Sequence, residues 1–401
     1  MRLVLRSTVD EVSTLPRVPT VAALAASPDS CSAELLPRRP EPAAELFPGA
    51  TSRHGGEVPA PPWWSETEGY IGQLDAFKLT DVLLFPAWGV VVTPAGDVMR
   101  LTMEEAAYAT PDLSGLPHAV RHGGDTVLDL PDDVPRVERA LLTMPFGARM
   151  NYGHFVLDAL SSLAALDATG LFAAHPVLVP PLKPWQARHF ALMGAAPLVT
   201  AAPVVRVGEL VYTGAVHHFL HNPNFNYRDL RARQLAALAP TGDGPRRLYL
   251  SRGRRDRRPM RSEARLVAAL RRAGFAAVDT GRMSVDRQMA LFAGAEAVVG
   301  AAGAAFANAL YCRPGTAVVE IMPRGMENHW VQPLCRIGGL HHAAWFCGAE
   351  ERDPAHPEQG MRFDVDVGRF LDFAFAEPPL AGTRHSASLA RRVGLRLGLA
   401  R

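Results

Sequence analysis

The chain has 401 residues, with 42 Lys and Arg against 40 Asp and Glu, so its formal net charge at pH 7 is only +2. This balance gives no electrostatic argument for binding nucleic acid or membrane. With 48% hydrophobic and 20% charged residues, the composition is that of a globular protein of about two domains. The longest apolar run, Val82 to Val92, is interrupted by Pro86 and falls short of the roughly 20 residues that span a bilayer. We therefore expect a soluble, cytoplasmic protein without a transmembrane segment.

The four cysteines are far apart in the sequence, and their spacing is not that of metal ligands: Cys31, Cys312, Cys335 and Cys347. The interpretation that fits an intracellular protein is reduced, partly buried thiols.

The N-terminal half shows a weak alternation of strands and helices. Residues 1–60 are rich in Pro and Ala with little periodicity, and we interpret them as a loosely ordered leader or a strap over the first domain. Residues 61–240 are predicted to form an N-terminal α/β domain. Its predicted strands are Val82 to Phe85, Gly89 to Val92, 137–143, 176–180 and Val204 to Tyr212. Its predicted helices are Tyr152 to Ala168, Trp185 to Leu192 and Arg228 to Leu238.

A linker at residues 239–245 precedes a regular strand–helix rhythm, which predicts a Rossmann-like domain with a parallel sheet at 246–375. The predicted strands are Arg247 to Ser251, Phe275 to Val278, Ala297 to Val299 and Ala317 to Ile321. Ser262 and Ser284 are predicted to cap the helices between them, and Gly274 to end the first. The tail at 376–401 is Arg- and Leu-rich, which suggests a surface helix that packs on the protein or contacts a membrane.

The loop Gly300 to Gly303 lies between a predicted buried strand and a helix. Its small residues allow close approach of a ligand, and the N–H groups of the following helix suit a diphosphate. The alternative is a tight crossover in which small residues serve packing alone.

Arginines are dense where the first strand of this domain ends: Arg246, Arg247, Arg252, Arg254, Arg255, Arg257, Arg258 and Arg261. Guanidinium groups match phosphate oxygens, so we predict that Arg252 and Arg258 bind phosphate. For Arg254 and Arg255 a solvated basic loop is the stronger interpretation. The loop has no aromatic residues, which argues against nucleic-acid binding.

One predicted helix carries a polar stripe on an otherwise apolar surface. Asn151, His154 and Asp158 are three and four residues apart and share a face, which Ser161 and Ser162 continue. A buried helix needs partners for such a stripe, and a cleft would supply them. His154 and Asp158 suit a general base and its orienting group, in either order. The alternative is a core histidine paired with a carboxylate.

Glu320 stands in the apolar strand Val318 to Ile321, where a carboxylate suits hydrogen bonding to ribose hydroxyls; the alternative is a paired structural glutamate. Asp364-Val365-Asp366 looks like a metal-binding motif, but its alternation with Phe363 and Val367 predicts an exposed strand. His217, His218 and His221 could bind a metal, but they have no acidic neighbour, and we predict that they belong to a polar loop. No metal site is predicted.

These residues together resemble glycosyltransferase family 61, which includes bacterial capsular-polysaccharide enzymes and plant and animal xylosyl- and N-acetylglucosaminyltransferases. Asn151 to Asp158 resembles the family's N-x-x-H-F-x-x-D signature. The later segments follow in the family order over about Arg247 to Pro323: Leu248 to Arg252, Arg258, Glu263, Gly274-Phe275, Gln288, Phe292, Gly300 to Asn308, Arg313-Pro314-Gly315 and Val318 to Glu320.

The resemblance implies an inverting glycosyltransferase with two Rossmann-like domains facing a cleft (GT-B type) and no obligatory metal. It implies that Arg252, Arg258, the segment of Gly303, Ala304 and Asn308, and Glu320 face a nucleotide sugar, which we expect to be UDP-linked and a co-substrate. His154 and Asp158, with Asn151 beside them, would face the acceptor: a glycan, a lipid-linked glycan or a small molecule.

The sequence departs from the family at two positions. Ala302 replaces the histidine usual before the second glycine of the G-x-H-G-A loop, and Ser262 stands where asparagine is common. Losing the histidine removes a diphosphate contact. A catalytically weak sugar-nucleotide-binding protein on the same fold is therefore the alternative function.

Overall fold

The computed structural model describes residues 1–6, 8–36, 39–40, 50–65, 70–71, 73–107, 109–216, 226–242, 244–252, 259–326, 329–351, 361–376 and 380. The chain divides into two compact units. The first unit is Met1–Pro40 with Ile71–Ala237, and the second is Glu41–Tyr70 with Leu238–Arg401. Arg258, the three loop histidines and the tail from 381 onward lie outside the described residues.

The strands of the two units are numbered in chain order. They are β1 Arg2–Val4, β2 Thr8–Val9, β3 Cys31–Leu36, β4 Arg39–Pro40, β5 Thr51–Gly56, β6 Tyr70–Ile71, β7 Leu74–Phe85, β8 Val90–Val92, β9 Val98–Met99, β10 Ala119–His122, β11 Asp125–Asp129, β12 Arg136–Leu142, β13 Leu178–Val179, β14 Leu198–Val199, β15 Val205–Thr213, β16 Arg247–Leu250, β17 Ala276–Val278, β18 Ala297–Ala301, β19 Ala317–Pro323, β20 His341–Cys347, β21 Ala349–Glu351 and β22 Arg362–Phe363.

Helices alternate with these strands. The α-helices are Glu11–Thr14, Val21–Ala26, Arg100–Ala107, Tyr152–His154, Leu160–Asp167, Pro184–Leu192, Asn226–Leu238, Glu263–Arg272, Val285–Gly294, Val331–Gly338 and Val367–Ala374. Phe155–Ala159 is π-helical, and short 3-10 helices are Pro62–Ser65, Phe146–Arg149, Gly214–Val216, Thr280–Arg282 and Ala304–Tyr311. No helix in the described part of the chain is both long and apolar enough to span a bilayer.

The first unit contains a mixed sheet. Its strands lie in the order β12, β15, β7, β8, β9 and β2, and β3 also pairs with β7. β12 and β15 are parallel, whereas β15, β7 and β8 are antiparallel neighbours. An α/β fold is confirmed, but a second Rossmann-like domain in this unit is not.

The sheet of the first unit is buried on both faces. On β7 and β8, Leu84 and Val91 belong to one hydrophobic cluster, and Leu83, Phe85 and Val90 belong to another. Side chains of a strand alternate between the faces of its sheet, so the two clusters cover opposite faces. This explains why the sequence shows continuous apolar runs here rather than a polar–apolar alternation.

Most elements predicted for residues 61–240 are confirmed. The strands at 137–143 and Val204 to Tyr212 are β12 and β15, and the last two predicted helices are Pro184–Leu192 and Asn226–Leu238. The strand predicted at 176–180 shrinks to Leu178–Val179. The patterns in residues 1–60 did not indicate strands, yet β1, β2 and β3 lie there in the first unit and β5 in the second.

A buried lysine connects the sheet of the first unit to the end of the helix Val21–Ala26. Lys78 on β7 is 2% exposed, and its ammonium donates to the carbonyls of Ala25 at 3.2 Å and Ser27 at 2.5 Å, and pairs with Glu209 at 3.1 Å. Burial acts to raise the pKa of Glu209, but hydrogen bonds from His175 and Lys78 hold that pKa below its ordinary value. The charges compensate one another, as a buried ammonium requires.

Glu11 is the first residue of its helix and is fully buried in the first unit. Its carboxyl oxygens accept from the N–H of Leu101 at 3.0 and 3.2 Å, and one accepts from the hydroxyl of Tyr212 at 3.1 Å. Burial raises the pKa of this carboxyl from 4.5 to about 7, and the hydrogen bonds only partly offset the shift. Glu11 thus keeps its proton in the folded state to near neutral pH.

We expect this group to make stability fall as pH rises from about 4.5 to about 7, because the folded state holds a proton there that the unfolded state has released. The contribution is fully present below 4.5, lost above 7, and has a slope of up to about 1.4 kcal/mol per pH unit. Urea unfolding of Glu11→Gln across this range should remove that part of the slope. Glu34→Gln, an exposed control, should retain it, and an unchanged slope in Glu11→Gln would refute the assignment.

The second unit is built on a parallel sheet. Its strands lie in the order β17, β16, β18, β19, β20 and β5, and every neighbouring pair is parallel. All four strands predicted for this part of the chain are confirmed. The outermost position is taken by β5, which comes from the Pro- and Ala-rich segment and pairs with β20 from Thr51 to Gly56.

Some of the helix ends predicted for the second unit are confirmed and others are not. Ser284 accepts the N–H of Arg287 and caps its helix as predicted, and Gly274 adopts φ +84 beyond the end of Glu263–Arg272. The predicted cap at Ser262 is wrong, because its hydroxyl accepts the N–H of Val365 instead. The exposed strand predicted around Asp364 is also wrong: Asp366 caps the helix Val367–Ala374 by accepting the N–H of Arg369.

All four cysteines are buried and free, so the prediction of thiols is confirmed and their burial is more complete than expected.

Candidate functional site

The strand order of the second unit defines where a ligand fits. After β16 the chain crosses to β17 on one side, then returns to β18 on the other, so the crossovers diverge between β16 and β18. In open parallel sheets this topological switch point leaves a crevice at the carboxyl ends of the two strands, where ligands bind. Arg252 follows β16, and Ala302 and Gly303 follow β18.

Arg252 bridges the two strand ends at this crevice. Its guanidinium donates to the carbonyl of Ala302 at 3.1 Å. Its backbone N–H donates to Glu263 Oε1 at 3.0 Å, and the same oxygen accepts from the hydroxyls of Ser251 and Tyr249 at 3.1 and 3.2 Å. Glu263 thereby fixes the turn that carries Arg252. Burial and the charge of Glu263 raise the pKa of Tyr249, so this hydroxyl remains a donor at neutral pH.

The glycine loop is shorter than predicted. Gly300 and Ala301 still belong to β18, and the N–H of Ala302 bonds to the carbonyl of Ile321 on β19. A Cβ at Gly300 would lie 2.8 Å from Cβ of Leu250, so this glycine serves strand packing, the alternative interpretation. The turn is therefore Ala302–Gly303, followed by the 3-10 helix Ala304–Tyr311.

Gly303 and Ala304 lie partly exposed at the start of this 3-10 helix, where backbone N–H groups lack partners within the helix. Both predicted donor-binding residues thus flank the crevice at the end of β18. These N–H groups could donate to a phosphate, and that contact remains a prediction.

Asn308 and Glu320 are buried and have partners within the protein. Asn308 donates to Gln288 Oε1 at 2.9 Å, which joins the 3-10 helix to the helix Val285–Gly294. Glu320 is 1% exposed and bonds to Nε2 of His342 at 3.0 Å, and burial raises the pKa of its carboxyl. Both have structural contacts, so their predicted contacts with the donor remain predictions.

The first unit carries the predicted polar stripe. Nδ1 of His154 lies 2.9 Å from Oδ2 of Asp158, so the predicted pair forms. Because a carboxylate only accepts, Nδ1 carries the proton of this bond, and Nε2 is left as the basic nitrogen. The Asp158 side chain is fully buried, whereas that of His154 is 15% exposed. Solvent or a substrate can therefore reach the histidine rather than the aspartate.

The helix that carries this pair is irregular. Its residues Phe155–Ala159 form a π turn, in which the N–H of Leu160 bonds to the carbonyl of Phe155. The sequence predicted a continuous α-helix from Tyr152 to Ala168, so this irregularity is a correction. Single π turns inside α-helices are frequent at functional sites. Asp158 lies within the π turn.

The side chain of Asn151 serves as a helix cap and does not contact His154 or Asp158 through a hydrogen bond that the structure records. Its side chain accepts the N–H of Gly153 at 2.8 Å and caps the helix Tyr152–His154. The residue is exposed, and its predicted contact with a substrate remains a prediction.

Further polar groups surround the buried side of the helix. Ser162 bonds to Thr213 at the end of β15 at 2.8 Å, and Asn226 donates to the carbonyl of Ser161 at 2.9 Å. Tyr227 is buried beside them; burial and the charge of Asp158 raise the pKa of its hydroxyl. These residues fix the helix that presents His154. Sequence reasoning missed Tyr227, because it placed the start of the helix one residue later, at Arg228.

Among the described residues, no group of three or more His, Cys, Asp or Glu side chains is arranged to hold a metal ion.

Comparison with known proteins defines the class of this chain. Residues 152–319 match the family model Glycosyltransferase 61, from the helix that carries His154 to the strand that carries Glu320. The protein is therefore a glycosyltransferase. This match confirms the resemblance to glycosyltransferase family 61 found in the sequence. A search of curated proteins found no match.

Proposed function

We propose that the protein is an inverting glycosyltransferase that moves a sugar from a nucleotide sugar, UDP-linked by preference, to a hydroxyl of a glycan, a lipid-linked glycan or a small-molecule acceptor. The observation that carries the proposal is the His154–Asp158 hydrogen bond at 2.9 Å, with the histidine as its accessible member.

In this proposal His154 is the general base and Asp158 orients it. Nε2 of His154 takes the proton of the acceptor hydroxyl as its oxygen attacks the anomeric carbon. The bond from that carbon to the diphosphate oxygen breaks in the same step, and the configuration inverts. The buried carboxylate of Asp158 stabilises the imidazolium that forms.

The leaving diphosphate needs compensation for its negative charge. Arg252 and the N–H groups at the start of Ala304–Tyr311 lie at the switch point and supply it, which leaves no chemical need for a metal. Activity should therefore survive EDTA.

A GT-B arrangement belongs to the same proposal. It is supported by the family and by the parallel sheet of the second unit. The mixed sheet of the first unit is a departure from two matching Rossmann-like domains. A cytoplasmic location is proposed as well, since all four buried thiols are free.

The second candidate is a catalytically weak sugar-nucleotide-binding protein, and the observation favouring it is Ala302. This residue is 6% exposed and joins a hydrophobic cluster, so it offers the diphosphate no side-chain donor.

A thermal-shift panel of UDP-, GDP-, CMP- and dTDP-sugars, followed by hydrolysis and transfer assays with and without EDTA, separates the two functions. Transfer supports the enzyme, and binding without turnover across many acceptors supports the binding protein. If no nucleotide sugar binds, both are wrong.

A further inference from the structure

A cavity of about 490 Å³ lies in the second unit, outside the crevice already described. It is lined by residues 54–62 and Trp64, which begin on β5 and continue past its end. Because β5 is parallel to β20, its carboxyl end lies on the same edge of the sheet as the switch point. The cavity thus occupies the ligand-binding edge, at its outermost strand.

The wall of this cavity is continuous with the end of β18. Trp64 is 2% exposed and shares a hydrophobic cluster with Ala302, Met322 and Phe346. Its ring meets that of Phe346 edge-on at 5.0 Å. β5 is three strand positions from β18, and at about 4.8 Å per position the two ends are about 14 Å apart. An extended nucleoside diphosphate can bridge such a span.

The wall itself is held rigidly. The N–H groups of Glu57 and Val58 bond to the carbonyl of Phe346 on β20 at 2.8 and 3.4 Å. The carboxylate of Glu57 accepts from Nε1 of Trp345 at 3.3 Å and from the N–H of Asp366 at 2.9 Å. A preformed wall costs little conformational entropy when a ligand binds.

The chemistry of the wall favours a flat ligand with N–H donors. Pro59, Pro61 and Pro62 have no N–H, so the segment contains fewer backbone donors than carbonyl acceptors, one of which, that of Pro61, accepts the N–H of Trp64 at 2.9 Å. The proline rings and Trp64 add apolar surface. Apolar walls with a few polar groups at the edge are typical of small-molecule pockets. A pyranose, with hydroxyls on every side, matches this lining less well than a nucleobase does.

We propose that this cavity holds the nucleobase of the donor, while the diphosphate lies at Ala302–Gly303. The inference rests on the proposed function, because it gives a binding site to the base of the nucleotide sugar that the glycosyltransferase would use. It makes the segment 54–64 a specificity-determining part of the donor site.

The test is calorimetric titration of the full chain with UDP, GDP, dTDP and inorganic pyrophosphate. Pro59 is exposed and lines the cavity, so Pro59→Trp blocks it without disturbing the core. Pro131→Trp is the control, because it adds the same side chain at an exposed site of the first unit.

We expect the preferred nucleoside diphosphate to bind wild type at least tenfold more tightly than pyrophosphate does. Pro59→Trp should weaken binding of that nucleotide at least tenfold and leave binding of pyrophosphate unchanged, while Pro131→Trp binds both ligands as wild type does. The inference is wrong if wild type and Pro59→Trp bind the nucleotide equally well. It is also wrong if wild type binds the nucleotide no more tightly than pyrophosphate. Neither result contradicts the proposed function. Absence of nucleotide binding to wild type overturns both the inference and the proposed function.

Discussion

Replacing His154 by Gln is expected to lower kcat for sugar transfer by about 10²- to 10⁴-fold, the usual range for loss of a positioned general base. Glutamine retains a donor toward Asp158 but cannot accept the proton of the acceptor hydroxyl. The KM for the donor should change little, because the histidine belongs to the first unit and contributes no donor contact in the proposal. Steady-state kinetics with saturating donor and acceptor measure the effect.

His175→Gln is the matched control, since His175 also pairs with a carboxylate in the first unit, that of Glu209. It should alter the free energy of unfolding and leave kcat within about twofold. Asp158→Asn should lower kcat less than His154→Gln does, because the histidine would remain but lose its orientation. If His154→Gln keeps full turnover while Asp158→Asn abolishes it, the roles are reversed.

Replacing Arg252 by Ala is expected to lower kcat/KM for the nucleotide sugar by about 10²- to 10³-fold, as when an enzyme loses one group that stabilises developing charge. The guanidinium lies at the switch point, and alanine removes that charge. The backbone N–H bond to Glu263 does not depend on the side chain, so the fold of the turn should persist. Arg252→Lys should recover part of the activity, since lysine keeps the charge but not the two-pronged geometry.

The control for this substitution is Arg246→Ala. Arg246 precedes β16 at the opposite edge of the sheet and pairs with Glu296 at 2.7 Å, with both side chains at least half exposed. Its removal should change stability by less than about 1 kcal/mol and leave donor kinetics unchanged. Equal effects of the two alanine variants would mean that Arg252 acts through general charge rather than through a site.

The second unit was the more predictable from sequence, and the reason is physical. The four strands predicted there are short and apolar and alternate with helices along the chain, so local patterns and tertiary structure agree. β5 could not be found in this way. Its residues include His54, Gly55 and Gly56, which have low strand propensity, and its position depends on pairing with β20 almost 300 residues later.

The candidate site was predictable where spacing alone determines geometry. The offset of four between His154 and Asp158 gave the hydrogen-bonded pair directly. The π turn, the role of Glu263 beneath Arg252 and the charge of Asp158 near Tyr227 depend on long-range packing, which no local pattern encodes. At Gly300 the local pattern was misleading. The sequence suggested a phosphate-binding loop, but this glycine allows close packing against Leu250.

The most direct test of the central claim follows the reaction of an α-linked nucleotide sugar by proton NMR, with the donor and acceptor found in the screen. The claim predicts release of the nucleoside diphosphate and a product whose anomeric coupling shows the β configuration, with both signals suppressed in His154→Gln. An α-configured product, or equal rates for wild type and His154→Gln, would contradict it.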